Sequence, residues 1–104
     1  MINQTASYIT DVADRSPDRG TTGQVSCGNS SAALVLAANA TRRCALLTNH
    51  SATIDVYFGF TSGITSSTGH KLGAGLSASI PCTATVYVIA ASSTVTVSAS
   101  EVYD

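Results

Sequence analysis

Residues 42–60 read RRCALLTNHSATIDVYFGF and form the densest apolar region of the chain. Side chains alternate at period two on either side of a polar break at residues 49–51, which predicts two strands joined by a turn. Asn tolerates positive φ and short polar side chains bond to nearby backbone, so this break suits a turn. We expect an antiparallel hairpin in which Ile54, Val56 and Phe58 form the core face.

The first strand of this predicted hairpin carries apolar residues on both faces. Cys44 and Leu46 share one face, and Ala45 and Leu47 share the other. Because a strand that is apolar on both faces is typical of a buried strand, we expect this one to be covered on both sides.

Strand patterns recur along the rest of the chain, with turn signals about every 8 to 12 residues. The segments predicted as further strands are 24–28, 32–36, 77–82, 84–90 and 94–102. Pro81 indicates a sheet edge or a strand end, because proline cannot donate a ladder hydrogen bond. Residues 61–77 contain four glycines and are predicted to be mostly loop, held to the sheets by Ile64 and Leu72.

These patterns predict an all-β fold, either a single antiparallel β-sandwich or a small β-barrel. The composition agrees, since 15 Ser and 14 Thr give the chain polarity with little charge and Thr favours strands. Five of the eleven charged residues lie between Asp11 and Arg19, next to Pro17. We therefore divide the chain into a flexible N-terminal arm, residues 1–23, and a β-sandwich domain, residues 24–104.

Charge and cysteine content argue against several classes of function. A net charge of −1 does not suit nucleic acid, whose binding relies on clustered Lys and Arg. No export signal and no apolar run of about 18 residues is present, so we expect neither export nor a membrane partner. Cys27, Cys44 and Cys82 fit neither a disulfide scaffold nor a paired zinc motif, and we expect reduced, buried thiols in a protein made in a reducing cytosol.

The sequence contains no motif for catalysis. No serine lies in the G-x-S-x-G pattern of a nucleophile elbow, and GHKLGAG at residues 69–75 lacks the Gly-Lys-Ser/Thr of a phosphate-binding loop. His50 and His70 are predicted to be exposed loop histidines, and two histidines with one acid nearby make a poor metal site. We expect no enzymatic activity, no cofactor and no bound metal.

The charged residues of the predicted hairpin indicate an ion pair. Asp55 lies in the middle of an apolar strand, so its carboxylate must face solvent or a cation. Arg42 and Arg43 are the only adjacent basic pair. They form a solvated strand start, or one of them pairs with Asp55 across the hairpin or with an acidic group on a neighbouring subunit.

Four short motifs lie within residues 32–102. They are R-x-x-L-x-x-N at Arg43, Leu46 and Asn49, V-Y-x-G at 56–59, G-x-x-L-x-x-G at 69–75, and the apolar strand 86–90. Together they resemble small β-sandwich virion proteins of tailed bacteriophages, of the head decoration (cement) or head-fibre type. The resemblance implies Arg43 and Asn49 as fold positions and carries over no catalytic residue.

The function that this resemblance implies is attachment: a capsid decoration subunit that binds the exterior of an icosahedral phage head and stabilises it. The expected partners are the major capsid protein and further copies of the chain, with a homotrimer favoured, and the expected location is the virion surface after synthesis in the host cytoplasm. The alternative is a carbohydrate- or receptor-binding module of a phage tail or head fibre, although the chain lacks the Trp that sugar sites often use. The residues predicted as subunit or capsid contacts are Asp11, Asp14, Arg15, Asp18, Arg19, Arg42 and Arg43.

Overall fold

The structure, a computed structural model, describes residues 19–104, and all the regular secondary structure of this part is β-strand. The strands are β1 (Arg19–Cys27), β2 (Ala33–Leu36), β3 (Arg42–Asn49), β4 (Val56–Gly59), β5 (His70–Leu72), β6 (Ser77–Ile80), β7 (Val86–Ala90) and β8 (Val95–Tyr103). The predicted all-β class is confirmed.

The strands form two four-stranded antiparallel sheets that pack as a sandwich. The front sheet has the order β1-β8-β3-β6, and the back sheet has the order β2-β7-β4-β5. Inward-facing side chains at period two fill the space between them, as expected for strands with one buried face. The core residues with no exposed surface are Cys27, Ala45, Leu47, Val56, Val86, Val88 and Val97.

The predicted hairpin of residues 42–60 is wrong, because β3 and β4 lie in different sheets. Asn49 closes the end of β3 with its side chain: Nδ2 donates to the Ile54 carbonyl at 2.9 Å and to the Leu72 carbonyl at 3.1 Å. Its Oδ1 accepts from the Ser51 amide at 2.9 Å. The polar break is therefore a crossing from one sheet to the other, and Asn49 is a fold position, as the resemblance implies.

The β1 strand begins at Arg19, five residues before the predicted start at Gln24. It pairs with β8 without interruption from Arg19 opposite Tyr103 to Cys27 opposite Val95. Residues 19–23 of the predicted arm thus belong to a strand, while residues 1–18 lie outside the described part of the chain. The division into an arm and a domain stays a prediction.

Several expectations for the second half of the chain are confirmed. Ile64 and Leu72 are buried, as predicted for the residues that hold the glycine-rich segment to the sheets. One part of this segment forms the short strand β5, which pairs with β4. Pro81 directly follows β6, and β6 is an edge strand, which confirms the interpretation of that proline.

Candidate interaction surface

A β-bulge at Arg43 decides how the adjacent arginines of β3 are placed. Arg42 lies opposite Tyr103 and Cys44 lies opposite Val102, so Arg43 is an extra residue in the ladder with β8. Strict alternation from Ala45 would direct Arg43 into the core. Because a bulge shifts the alternation by one residue, Arg42 is buried instead and Arg43 is exposed.

The guanidinium of Arg42 is enclosed at one end of the sandwich, where its side chain has no exposed surface. Its Nε donates to Glu101 Oε1 at 2.8 Å. Its Nη1 donates to the Ala84 carbonyl at 2.7 Å and to the Cys82 carbonyl at 3.3 Å, and its Nη2 donates to the Ala37 carbonyl. The prediction of Arg42 as a surface contact is therefore wrong, because this side chain joins strand β8 to the two connections that contain these carbonyls.

The other charged side chains are also paired. Arg43 Nη1 lies 2.8 Å from Asp104 Oδ2, and Lys71 Nζ lies 3.4 Å from Asp55 Oδ2. Pairing of Asp55 with an arginine of β3 is thus wrong, since the nearest cation is supplied by β5. The six charged residues of the segment 20–104 are all in ion pairs: Arg42, Arg43, Asp55, Lys71, Glu101 and Asp104.

The outer side of the front sheet is an uncharged surface, which we call the front face. Its residues come from all four strands: Gly20, Thr22, Gln24, Cys44, Leu46, Thr48, Ser77, Ser79, Ser98, Ser100 and Val102. At its centre Leu46 and Val102 are 43% and 38% exposed. Within residues 19–104 the expectation that β3 is covered on both sides is therefore wrong, because Leu46 projects from a side of the sheet that no other described element covers.

Leu46 and Val102 border a shallow depression on the front face. Its volume is about 230 Å³, and its lining residues are Cys44, Leu46, Ser79, Ser100, Glu101 and Val102. Around it, serine and threonine hydroxyls bond across strands, with Thr48 Oγ1 2.8 Å from Ser77 Oγ and Ser100 Oγ donating to Thr22 Oγ1 at 3.2 Å. Since these hydroxyls bond one another, the polar groups that surround the apolar centre are already partly satisfied within the chain.

The predicted contact residues fall into three groups in the structure. Asp11, Asp14, Arg15 and Asp18 lie outside the described residues. Arg19 and Arg42 lie opposite Tyr103 on its two sides, so they are brought to the same end of the front sheet. Arg43 is next to them and carries an exposed side chain, whereas Arg42 is buried.

Sequence reasoning missed the apolar centre of this surface. The alternation predicts a covered face for Leu46, and it does not mark Val102 as part of an apolar patch. A signal was available in β8, where Ser98 and Ser100 precede Val102 at period two, so an isolated large apolar residue ends a polar row. Pairing of that row with Leu46 required the register between β3 and β8, which sequence alone did not provide.

Side chains that bind metals are not clustered in the part of the chain that the structure describes. Within residues 19–104 no group of three or more His, Cys, Asp or Glu side chains is placed to hold a metal ion. His50 is exposed after β3 and bonds to Ser98, and the ring of His70 packs against Phe58 with centroids 5.4 Å apart. The same part of the chain has no helix long and apolar enough to cross a membrane.

Cys27 is the one cysteine whose thiol is fully enclosed among the described residues. Burial raises the pKa of this thiol from 9.0 to about 11, because the uncharged form is favoured away from water. Its Sγ donates a long hydrogen bond to the Val25 carbonyl at 3.8 Å. Cys27 therefore acts as a small core residue, as predicted, while Cys44 and Cys82 are only partly buried.

Solved structures share this fold at low sequence identity. The stem and receptor-binding domain of the spike protein P1 from bacteriophage PM2 matches with a TM-score of 0.55 and 18% identity, over 73% of this chain and 30% of that chain. A cupin superfamily protein from Desulfitobacterium hafniense DCB-2 matches with a TM-score of 0.53 and 11% identity, over 84% and 70%. The capsid asymmetric unit of cyanophage Pam1 matches 86% of this chain at 14% identity, with a TM-score of 0.40, which is too low to establish a shared fold.

No protein-family model matches the chain, and no curated protein matches its sequence. The aligned region spans less than a third of the spike protein chain, so the likeness concerns one portion of that protein. At these identities the matches establish the two-sheet fold alone.

Proposed function

We propose that the chain is a structural virion protein, a capsid decoration subunit that binds the exterior of an icosahedral phage head and stabilises it through subunit contacts. The observation that carries this proposal is the front face, an uncharged sheet surface that residues 19–104 leave bare, with Leu46 and Val102 exposed on it. An exposed apolar patch rimmed by polar residues is typical of a protein contact surface. The resemblance of the short motifs to phage head proteins supports the same role.

The mode of binding follows from the charges. All six charged side chains of residues 20–104 are engaged in ion pairs within the chain, so they offer little for steering a charged ligand. We propose that binding works through buried area and shape, without enzymatic chemistry and without nucleic acid or a membrane. The proposed partners are the major capsid protein and further copies of the chain, with the trimer favoured by the resemblance.

Binding to heads can be tested with one variant of the front face and one matched control. Leu46→Glu introduces a charge at the apolar centre, and Leu34→Glu introduces the same charge on β2 of the back sheet, where the leucine is 51% exposed. Both positions are exposed, so both variants are expected to keep the wild-type melting temperature. Phage heads that lack the protein are mixed with each form and imaged by electron microscopy.

We expect added density on the outer surface with the wild type and with Leu34→Glu, and loss of at least about tenfold in occupancy with Leu46→Glu, because an unpaired charge would be buried at the contact. Absence of wild-type density on the heads would contradict the decoration role. Equal binding by both variants would show that the front face is not the contact surface.

A second candidate is a carbohydrate- or receptor-binding module of a phage tail or head fibre. The observation in its favour is the shared fold with the receptor-binding and stem region of a phage spike protein. Against it, the chain has no Trp, and few aromatic side chains are available for stacking on a sugar ring. Binding of the wild type to a glycan array or to purified tails, together with no binding to heads, would favour this candidate.

A further inference from the structure

The β1 strand is a long edge strand that the described part of the chain leaves unpaired on one side. It runs for nine residues and pairs only with β8, so one row of its backbone N–H and C=O groups has no strand beside it. Residues 19–24 are also exposed on both faces. Such an edge is a template on which a further strand can pair.

The other three sheet edges are protected in the ways that natural sheets use. The β5 strand has three residues and carries Lys71. The β6 strand has four residues and is followed by Pro81, and β2 has four residues with a bulge between Leu34 and Leu36. By contrast, β1 has no proline and no bulge, and its only charged residue is Arg19 at its first position.

We propose that β1 pairs in antiparallel orientation with β1 of a second copy of this chain. Antiparallel pairing of two identical edges is self-complementary, because a two-fold axis relates every residue of one strand to the same residue of the other. The two front sheets then become one eight-stranded sheet, and the two front faces become continuous. A two-fold contact closes at two chains, so the dimer replaces the trimer as the state that we expect in solution.

The chemistry of β1 suits a second copy as the occupant. Residues 20–27 carry no charge, so two copies approach without like-charge repulsion and no oppositely charged partner is required. Gly23 is the middle residue of the strand, and a Cβ placed on it would point out of the sheet and meet no atom within 4 Å, so neither a side chain nor an overlying atom of the described residues crowds the strand centre. The two Arg19 side chains lie toward opposite ends of an antiparallel pair centred on this glycine.

The contact can be broken by a charge on β1. Thr22→Lys places an ammonium on the exposed edge strand, and Thr61→Lys places the same group at an exposed position after β4 as a control. Sedimentation velocity of the full chain over a range of concentrations measures the dimer, and thermal melting checks the fold. We expect a concentration-dependent dimer for the wild type and the control, and a dissociation constant raised at least about tenfold in Thr22→Lys, since like charges oppose each other across the two-fold axis.

A charge-reversal pair shows whether the effect lies at the contact. Thr22→Lys and Thr22→Glu chains are each expected to be monomers, and an equal mixture is expected to form a mixed dimer. Hydrogen exchange gives a second measure: amides of residues 19–24 gain protection as the wild-type concentration rises, because alternate N–H groups of an edge strand acquire partners.

Several results would overturn this inference. They are a wild type that stays monomeric at all concentrations, an oligomer whose mass is unchanged in Thr22→Lys, and protection of residues 19–24 in a monomer, which would place another segment of the chain on this edge. The inference does not depend on capsid binding. Its failure would leave the head-binding assay unaffected, and failure of that assay would leave the dimer measurement intact.

Discussion

A loop of the chain covers the part of the back sheet's outer face that lies over β4, whereas the described part of the chain leaves the outer face of the front sheet bare. Gly59 points outward opposite Tyr87, and a Cβ on it would lie 2.6 Å from Ile64 Cγ2, so Ile64 fills the place of the missing side chain. Ile64 is 9% exposed, and Leu46 on the front sheet is 43% exposed. The two faces thus differ in what covers them.

The cover on the back sheet depends on the length of the connection between β4 and β5. Ten residues separate β4 from β5, and they bond to one another, with the Gly69 amide donating to the Thr65 carbonyl at 2.9 Å and the Thr65 amide donating to Thr68 Oγ1 at 2.9 Å. A connection this long can fold back over its own sheet. Strands of the front sheet have no comparable cover among residues 19–104, so their outer face is available for contact with another protein.

The largest loss of stability is expected where Arg42 joins the two sheets. Arg42 binds Glu101 on β8 and carbonyls in the connections β2–β3 and β6–β7, each of which leads from one sheet to the other. Arg42→Met leaves the Glu101 carboxylate without its cation, with only the Asn39 side-chain amide donating to it at 3.4 Å, and removes the guanidinium donor from these carbonyls. We expect the free energy of unfolding to fall by about 3–5 kcal/mol, measured by urea denaturation at neutral pH.

Arg43→Met is the matched control for that variant. Its pair with Asp104 is partly exposed, with side chains 36% and 49% accessible, so we expect a loss below about 1 kcal/mol. If both variants were equally stable, the enclosed guanidinium would not be what joins the sheets at this end.

The sequence could not predict which of these two arginines is buried. The pattern R-x-x-L-x-x-N marked Asn49 correctly as a fold position, but it marked Arg43, whereas the buried arginine is Arg42. A bulge has no composition of its own at this position, since Arg42 and Arg43 are identical side chains. Only the ladder with β8 shows which of the two is the extra residue.

The covered and bare faces predict unequal responses to the same truncation. Ile64→Ala removes apolar contact over Gly59 and leaves a gap on the back sheet, so we expect a loss of roughly 2 kcal/mol or more in the free energy of unfolding. Leu46→Ala shortens a side chain that is already 43% exposed and leaves no enclosed gap, so we expect a smaller loss, below about 1 kcal/mol. Urea denaturation of both variants measures the contrast, and a large loss for Leu46→Ala in the monomer would show that the front face is covered within the chain.

Period-two alternation predicted most of the strands, and a large apolar residue in a glycine-rich segment predicted the buried role of Ile64, but neither signal could assign strands to sheets. The apolar patterns of β3 and β4 fit a hairpin and a crossing equally well, because both place alternate residues inward. In the crossing, the Asn49 side chain donates hydrogen bonds to the carbonyls of Ile54 and of Leu72, a residue 23 positions away. A bond over that distance is set by tertiary packing and leaves no local signal.

A covered cysteine, Cys27, gives the core a pH-dependent contribution to stability, and Cys44 on the front face is the partly exposed position with which it is compared. Cys27 lies in the core at the end of β1, and Cys44 lines the depression on the front face. Burial raises the pKa of Cys27 to about 11, so the folded chain keeps this proton at a pH where the unfolded chain releases it. Between about pH 9 and pH 11 the unfolded state therefore binds fewer protons than the folded state, and stability falls as pH rises.

This loss of stability appears only in alkali, so at neutral pH it is the smallest of the predicted effects. The contribution of Cys27 is fully present below pH 9 and is lost as pH rises toward about 11, with a slope of at most about 1.4 kcal/mol per pH unit. Cys27→Ala removes the titrating group, and Cys44→Ala is the control on the front face. The measurement is the difference in pH dependence between each variant and the wild type, from urea denaturation at pH 7 to 11 with reductant present. We expect a shallower alkaline fall in Cys27→Ala and an unchanged one in Cys44→Ala; identical slopes in all three proteins would mean that water reaches the Cys27 thiol in the folded chain.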